Sequence, residues 1–202
     1  ITENSNMERY TARLKADYQA KKWLKVGANA GYANFTYNSL SADGQGNSSA
    51  NLFAFTSSIP PIYPLYVRDG QGNIMKNDAG ITMYDYGNGM NAGLTRPLLP
   101  NANGLADSRL NTDRSEGNAF NGTGFFDILF LKDFKFTFNV GVSLDETRRT
   151  TVQNPYFGQF ADENGIIGKY HTRDFSHNLQ QILNYTKVIG KHNVNVMLGH
   201  EY

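Results

Sequence analysis

The segment Lys135–Glu146, KFTFNVGVSLDE, alternates between two kinds of residue at every step. In a β-strand, successive side chains point to opposite faces of the sheet, so a period of two predicts a strand with one apolar and one polar face. What covers the apolar face then decides the class of fold. The apolar positions of this segment are Phe136, Phe138, Val140, Val142 and Leu144.

The same alternation recurs along the chain and predicts an all-β fold of about six antiparallel strands. Short connections join the strands in pairs, and the apolar phase shifts near residues 33–37, as a β-bulge would produce. Two longer, Gly- and Asn-rich segments interrupt the pattern, at about residues 38–114 and 152–168. The predicted strands cover about residues 7–18, 24–37, 117–131, 134–151, 169–185 and 193–202.

Two architectures place an apolar face on strands of this kind. A soluble β-sandwich buries that face between two sheets, whereas a membrane β-barrel turns it towards lipid. The predicted strands have about ten residues or more, which suits a tilted crossing of a bilayer better than the five or six usual in sandwiches. The connections also alternate between short turns and long loops, as in outer-membrane barrels with long extracellular loops. The pattern therefore favours a transmembrane barrel wall, with a soluble or surface-attached β-sandwich that binds carbohydrate as the alternative.

Average hydropathy does not decide between these architectures. The mean hydropathy is -0.50, but polar lumen residues and long loops lower this value in barrel proteins. No run of eighteen apolar residues predicts a membrane-spanning helix. Six strands are too few to close a membrane barrel. We therefore expect residues 1–202 to form part of a larger barrel domain, with the plug domain and the closing strands absent from this segment.

Composition and motifs exclude several functions. The formal net charge is +1 and the 19 basic residues are scattered, so no nucleic-acid-binding surface is predicted. The chain has no cysteine and none of the common nucleotide-binding, hydrolase or zinc-protease motifs, so we expect neither an enzyme nor a cofactor. His171 and His177 lie about 20 Å apart on one strand face, which is too far for a shared metal ion, and no metal site is predicted.

The pentapeptide DGQGN occurs twice, at Asp43–Asn47 and at Asp69–Asn73. Its acidic and glycine residues are compatible with calcium binding, but tight turns require the same residue types. The turn interpretation is favoured, and calcium binding stays open.

Three segments together resemble the SusC-like (RagA-like) TonB-dependent transporters of the Bacteroidetes outer membrane. RYTARLKADYQAKKWLKVGANAGY resembles an early barrel hairpin of that family, PPIYPLYVRDGQGN an external loop, and KVIGKHNVNVMLGHEY a turn and strand. The resemblance implies a plugged barrel of 22 strands that imports oligosaccharides, or sometimes peptides, across the bacterial outer membrane. It also implies a SusD-like lipoprotein as partner and TonB as energy source, contacted through an N-terminal part outside this segment. His200 stands where the family pattern has an aromatic residue.

These expectations define two sets of candidate site residues. Polar side chains on the face opposite the lipid would line the lumen, and loop tyrosines would offer flat rings and hydroxyls to a substrate. Packing of the loop is the alternative role for each tyrosine. The predicted lumen-facing residues are Arg9, Arg13, Lys15, Asn29, Asn121, Asn139 and Asn178. The predicted substrate-contacting residues are Tyr63, Tyr66, Tyr84 and Tyr86.

Overall fold

The computed structural model of the chain describes residues 3–39, 56–158 and 160–202. It contains one six-stranded antiparallel sheet, in which the strands are arranged in sequence order. A short helix, α1, spans Gly104–Leu110 and is capped by Asn103, whose side chain accepts a hydrogen bond from the Ala106 amide. The strands are β1 (Asn6–Lys21), β2 (Leu24–Ser39), β3 (Thr112–Phe130), β4 (Phe134–Gln153), β5 (Ile166–Ile189) and β6 (His192–Glu201).

The apolar face of the sheet is exposed. Tyr10, Leu14 and Tyr18 of β1 are 68%, 72% and 66% exposed, and Leu198 of β6 is 65% exposed. All six strands in the described residues belong to a single sheet, so no second sheet covers this face there. The prediction of an all-β, antiparallel fold is confirmed, and the sandwich alternative does not describe this structure. None of the described helices has the length and hydropathy needed to span a membrane.

The strands extend beyond the segments predicted from apolar periodicity. β5 has 24 residues and pairs with β6 as far as Ile189 opposite His192, next to a turn in which Gly190 has a φ of +62°. β3 begins at Thr112, five residues before its predicted start, and its first buried residues are polar: Asp113 and Ser115 are 4% and 1% exposed. Buried polar residues carry no apolar signal, so alternation alone could not reveal this part of the strand.

The bulge predicted near residues 33–37 is wrong. A Cβ placed on Gly27 would lie 2.3 Å from the Phe125 ring, and one placed on Gly117 would lie 2.3 Å from the Phe35 ring. Gly27 and Phe35 are eight residues apart on β2, and their neighbours Phe125 and Gly117 are eight residues apart on β3. The pairing register of the two strands is therefore constant between these points, and no extra residue is inserted. Phe35 therefore lies on the same face as Gly27. An aromatic ring that packs over a cross-strand glycine mimics a phase shift in the sequence.

Two polar residues on the apolar face, Gln181 and His200, form a hydrogen bond with each other. Gln181 and His200 are directly opposite in the β5–β6 register. The His200 Nδ1 and Gln181 Oε1 atoms lie 2.6 Å apart. Each polar group therefore satisfies the other, which lowers the cost of placing both among apolar side chains.

The chain divides into two compact units. One comprises residues 1–8, 36–115 and 148–170, and the other comprises residues 9–35, 116–147 and 171–202. The first unit has its own hydrophobic core, and the described part of its long loop contains α1 and four isolated β-bridges. The long loop predicted from Gly and Asn content is therefore a folded element. Its buried core residues are Tyr84, Tyr86, Ala106 and Phe157.

Candidate functional site

Four of the seven predicted lumen residues line one cavity on the polar face of the sheet. Arg9 and Arg13 come from β1, Asn29 from β2 and Asn121 from β3. The cavity has a volume of about 350 Å³, and Thr11 adds a hydroxyl to its wall. All these residues are odd-numbered, and alternate residues of a strand share one face, so their side chains lie on the same face of the three adjacent strands.

A second depression, of about 330 Å³, lies beside Lys15. The Lys15 ammonium is 3.8 Å from an Asp17 carboxylate oxygen, a largely exposed pair that contributes little to stability. The Lys25 ammonium lies 5.5 Å from the centre of the Phe125 ring. The depression therefore contains charges of both signs and a cation–π contact between Lys25 and Phe125.

The remaining two predicted lumen residues form hydrogen bonds across strands β4, β5 and β6. Asn139 Nδ2 donates to Gln180 Oε1 at 3.3 Å, and Asn178 donates to the Glu201 carboxylate. Gln180 and Glu201, which were not among the predicted lumen residues, lie directly opposite one another in the β5–β6 register. The polar face is thus a cross-strand network, which a single-strand pattern does not show.

Tyr84 and Tyr86 are buried inside the folded loop. They are 5% and 1% exposed, and the Phe157 ring lies 6.2 Å from each of their rings. Tyr86 donates its hydroxyl hydrogen to Asp107 Oδ1 at 2.8 Å. Burial raises the pKa of the Tyr86 phenol, and burial also raises the pKa of Asp107 to about 6. The packing alternative describes these two tyrosines, because a buried ring cannot meet a substrate unless the core opens.

Tyr63 and Tyr66 are partly exposed, and each contacts an arginine. The Arg96 guanidinium lies 4.7 Å from the centre of the Tyr63 ring. Arg109 donates to the Tyr66 hydroxyl at 3.3 Å, and the Tyr66 ring is 5.4 Å from that of Tyr84. Both rings keep part of their surface available, so substrate contact by Tyr63 and Tyr66 stays a prediction.

Arg96 organises the folded loop, a role that the sequence does not predict. Its guanidinium lies 3.2 Å from Asp85 Oδ1, and both side chains are less than a tenth exposed. The same guanidinium donates to the backbone carbonyls of Pro64, Asp85 and Ala102. A buried ion pair with these added hydrogen bonds fixes three loop segments together. Nothing in the local sequence distinguishes Arg96 from an exposed arginine.

The described DGQGN segment, Asp69–Asn73, is a turn. Asp69 Oδ1 accepts hydrogen bonds from the Gln71 and Asn73 amides at 2.9 and 2.8 Å. Asp69 Oδ2 accepts one from the Asn73 side chain at 3.0 Å, and these bonds hold the pKa of Asp69 below its ordinary value. The carboxylate thus closes the turn with both oxygens. The other copy, Asp43–Asn47, lies outside the described residues.

Solved structures with a similar fold include three structures of RagAB. The RagAB peptide importer in its "open-open" state matches with a TM-score of 0.65 and 24% identity, over 98% of this chain and 20% of that chain. Its "closed-closed" state matches with a TM-score of 0.63 and 22% identity, over the same shares of both chains. A structure described as the RagAB peptide transporter matches with a TM-score of 0.62 and 23% identity, again over 98% and 20%.

This likeness shows the fold. The chain spans about one fifth of the length of the importer chains that it matches. No protein-family model matches the sequence, and comparison with characterised proteins gives no match.

Proposed function

We propose that this chain forms part of the β-barrel wall of a TonB-dependent importer in the bacterial outer membrane. The observation that carries the proposal is a single sheet with one exposed apolar face and one polar face. The chain that contains this sheet matches one fifth of a peptide importer chain over 98% of its own length. In the proposed barrel, lipid covers the apolar face and the polar face lines the lumen.

The apolar face of β1 has the dimensions of a membrane crossing. Tyr10 and Tyr18 lie eight residues apart on this face, with Leu14 midway between them. At ~3.3 Å per residue and a tilt of about 40°, that separation corresponds to a height of roughly 20 Å. Barrel proteins place aromatic rings at the two borders of an apolar band of about 25 Å. The two tyrosines therefore suit the two interfaces of one bilayer.

Further strands must pair with the edges of this sheet in the proposed barrel. Within the described residues, β1 and β6 are the two edge strands. Unpaired backbone groups at such edges would each cost several kcal/mol in hydrocarbon. Barrel closure by strands from the rest of the importer removes that cost.

The proposed substrate is an oligosaccharide or a peptide, and the proposed partner is a SusD-like lipoprotein. The solved neighbours are described as a peptide importer, which favours the peptide. In this proposal TonB supplies energy through a part of the protein outside residues 1–202. Tyr63 and Tyr66 offer partly exposed rings to the substrate, whereas Tyr84 and Tyr86 hold the loop in shape.

The test uses the full-length gene product expressed with its own lipoprotein. We expect the protein in the outer-membrane fraction, dependent on detergent for solubility, and co-purifying with the lipoprotein. Cells should accumulate labelled oligosaccharide or peptide only when TonB is present. A full-length protein that stays monodisperse in buffer without detergent would contradict the proposal, because an exposed apolar barrel wall aggregates in water.

A further inference from the structure

We propose that the cavity between β1, β2 and β3 is a subsite for a carboxylate group on the transported oligomer. The inference rests on the proposed function, because it requires the polar face to line the lumen. The carboxylate would come from an acidic sugar or from an acidic peptide. We call this cavity the arginine subsite, lined by Arg9, Thr11, Arg13, Asn29, Asn121 and Thr123.

The two arginines of the subsite lack the carboxylate partners that three other arginines of the chain possess. Arg96 pairs with Asp85 at 3.2 Å, Arg109 pairs with Glu3 at 2.6 Å, and Arg149 pairs with Asp113 at 2.8 Å. Across residues 3–39, 56–158 and 160–202, neither the Arg9 nor the Arg13 guanidinium has a carboxylate partner. Within the described residues, the two cations share a cavity that no acidic side chain lines, and such a cavity favours an anionic ligand.

The geometry suits an oligomer. Arg9 and Arg13 lie four residues apart on one strand face, so their Cα atoms are ~13 Å apart. A guanidinium presents a planar set of donors that matches a carboxylate with two hydrogen bonds. At this spacing, the two side chains can meet successive carboxylates of one oligomer. The cavity volume of about 350 Å³ lies within the range of small-ligand sites.

The neutral side chains of the subsite can form hydrogen bonds with uncharged parts of the oligomer. Asn29 and Asn121 each carry a donor and an acceptor, and Thr11 and Thr123 add hydroxyls. These groups can bond sugar hydroxyls or peptide amides. The arginines have no acceptor, so they discriminate in favour of acceptor-rich groups. The subsite therefore fits a polar oligomer that bears carboxylates.

The experiment measures binding to the full-length importer by calorimetry, with two matched pairs of probes. Tetragalacturonate is compared with its methyl ester, and tetraglutamate is compared with tetraglutamine. We expect at least one acidic probe to bind about tenfold more tightly than its neutral match, with the difference shrinking at high salt. The pair that shows this preference identifies the source of the carboxylate.

Substitutions assign the preference to the subsite. The double variant Arg9→Gln with Arg13→Gln should lose the preference, because its affinity for the acidic probe should fall by much more than its affinity for the neutral probe. Arg9→Lys with Arg13→Lys should keep part of the preference, because lysine retains the charge without the paired donors. Lys22→Gln, which removes one positive charge in the β1–β2 turn outside the cavity, should leave the preference intact.

Three results would overturn the inference: wild type without preference for either acidic probe, a glutamine variant that keeps the preference, or equal loss of acidic and neutral binding. The proposed function is judged separately, by outer-membrane location and TonB-dependent uptake of the neutral probes. An importer that passes those tests but shows no acidic preference refutes the subsite alone.

Discussion

At the residue scale, the contact between Asp107 and Tyr86 couples the folded loop to pH. Burial raises the pKa of Asp107 from 3.8 to about 6, so the folded loop binds a proton more tightly than the unfolded chain does. Stability contributed by this group is therefore highest below pH 4 and falls as the pH rises from about 4 to about 6. At about 1.4 kcal/mol per pKa unit, the total change is at most about 3 kcal/mol.

Replacing this carboxyl with a neutral amide should remove that pH dependence. We expect Asp107→Asn to flatten the stability of the loop between pH 4 and pH 6, because the amide oxygen still accepts from Tyr86 without a charge. Hydrogen exchange in α1, corrected for the intrinsic effect of pH, measures the opening free energy. The control Asp78→Asn changes an exposed carboxyl of the same loop and should keep the wild-type slope. Equal slopes in wild type and Asp107→Asn would contradict this account.

Gly87 tests whether Arg96 is fixed in the loop core. Gly87 has a φ of +69°, and a Cβ there would lie 2.2 Å from Arg96 Cγ. Gly80 has a φ of +76° but open space around it. We expect Gly80→Ala to cost about 1 kcal/mol of loop stability, from backbone strain alone. Gly87→Ala should cost about 3 kcal/mol or more, because it also displaces the buried ion pair. Protease resistance of the loop reports the difference, and similar losses in both variants would show that Arg96 can move freely.

At the scale of the element, adjacent residues of β4 should meet different surroundings. Val140 lies on the apolar face and Asn139 lies on the polar face, where it bonds Gln180. Residues 1–202 contain no cysteine, so Asn139→Cys and Val140→Cys each add one labelling position to this chain. In vesicles of the full-length protein, a spin label at position 140 should collide mainly with oxygen and one at position 139 mainly with a water-soluble nickel chelate. Equal accessibility to the chelate would place both faces in water.

The strands were predictable from the sequence to the extent that their apolar side chains alternate. β4 was found because Phe136 to Leu144 keep a strict period of two. Alternation does not reveal the start of β3, because Asp113 pairs with Arg149 and that ion pair joins residues far apart in sequence. Phe35 mimics a bulge in the sequence, because its packing over Gly117 is visible only in three dimensions. Contacts between strands, unlike alternation within one strand, leave no local pattern.

The residues of the candidate site were also predictable only where strand alternation identifies them. The arginines and asparagines of the polar face were selected by alternation, and four of them line one cavity. The loop tyrosines were selected by residue type, which cannot distinguish the buried Tyr86 from the partly exposed Tyr63. No sequence pattern predicts the role of Arg96, because that role depends on backbone carbonyls from three separate segments. Burial within a loop depends on its tertiary fold, not on its composition.

At the scale of the whole molecule, the exposed apolar face can be tested with two neighbouring residues of β6. Met197 and Leu198 are both large and apolar, and they are 69% and 65% exposed. Met197 lies opposite Asn184 on the polar face, whereas Leu198 lies opposite Leu183 on the apolar face. The two side chains thus have similar exposure in this chain but opposite surroundings in the proposed barrel.

We therefore expect Leu198→Arg to destabilise the full-length barrel in lipid by about 2–4 kcal/mol, because a charge on the lipid-facing side loses its hydration. Met197→Arg should change stability by less than about 0.5 kcal/mol, because its side chain stays in the aqueous lumen. Folding into phospholipid vesicles at graded denaturant concentrations measures both values. In a water-soluble protein, both arginines would be solvated and both changes would be small. Equal, small effects would therefore refute the membrane position of this face, and a large effect at position 197 alone would reverse the assignment of the two faces.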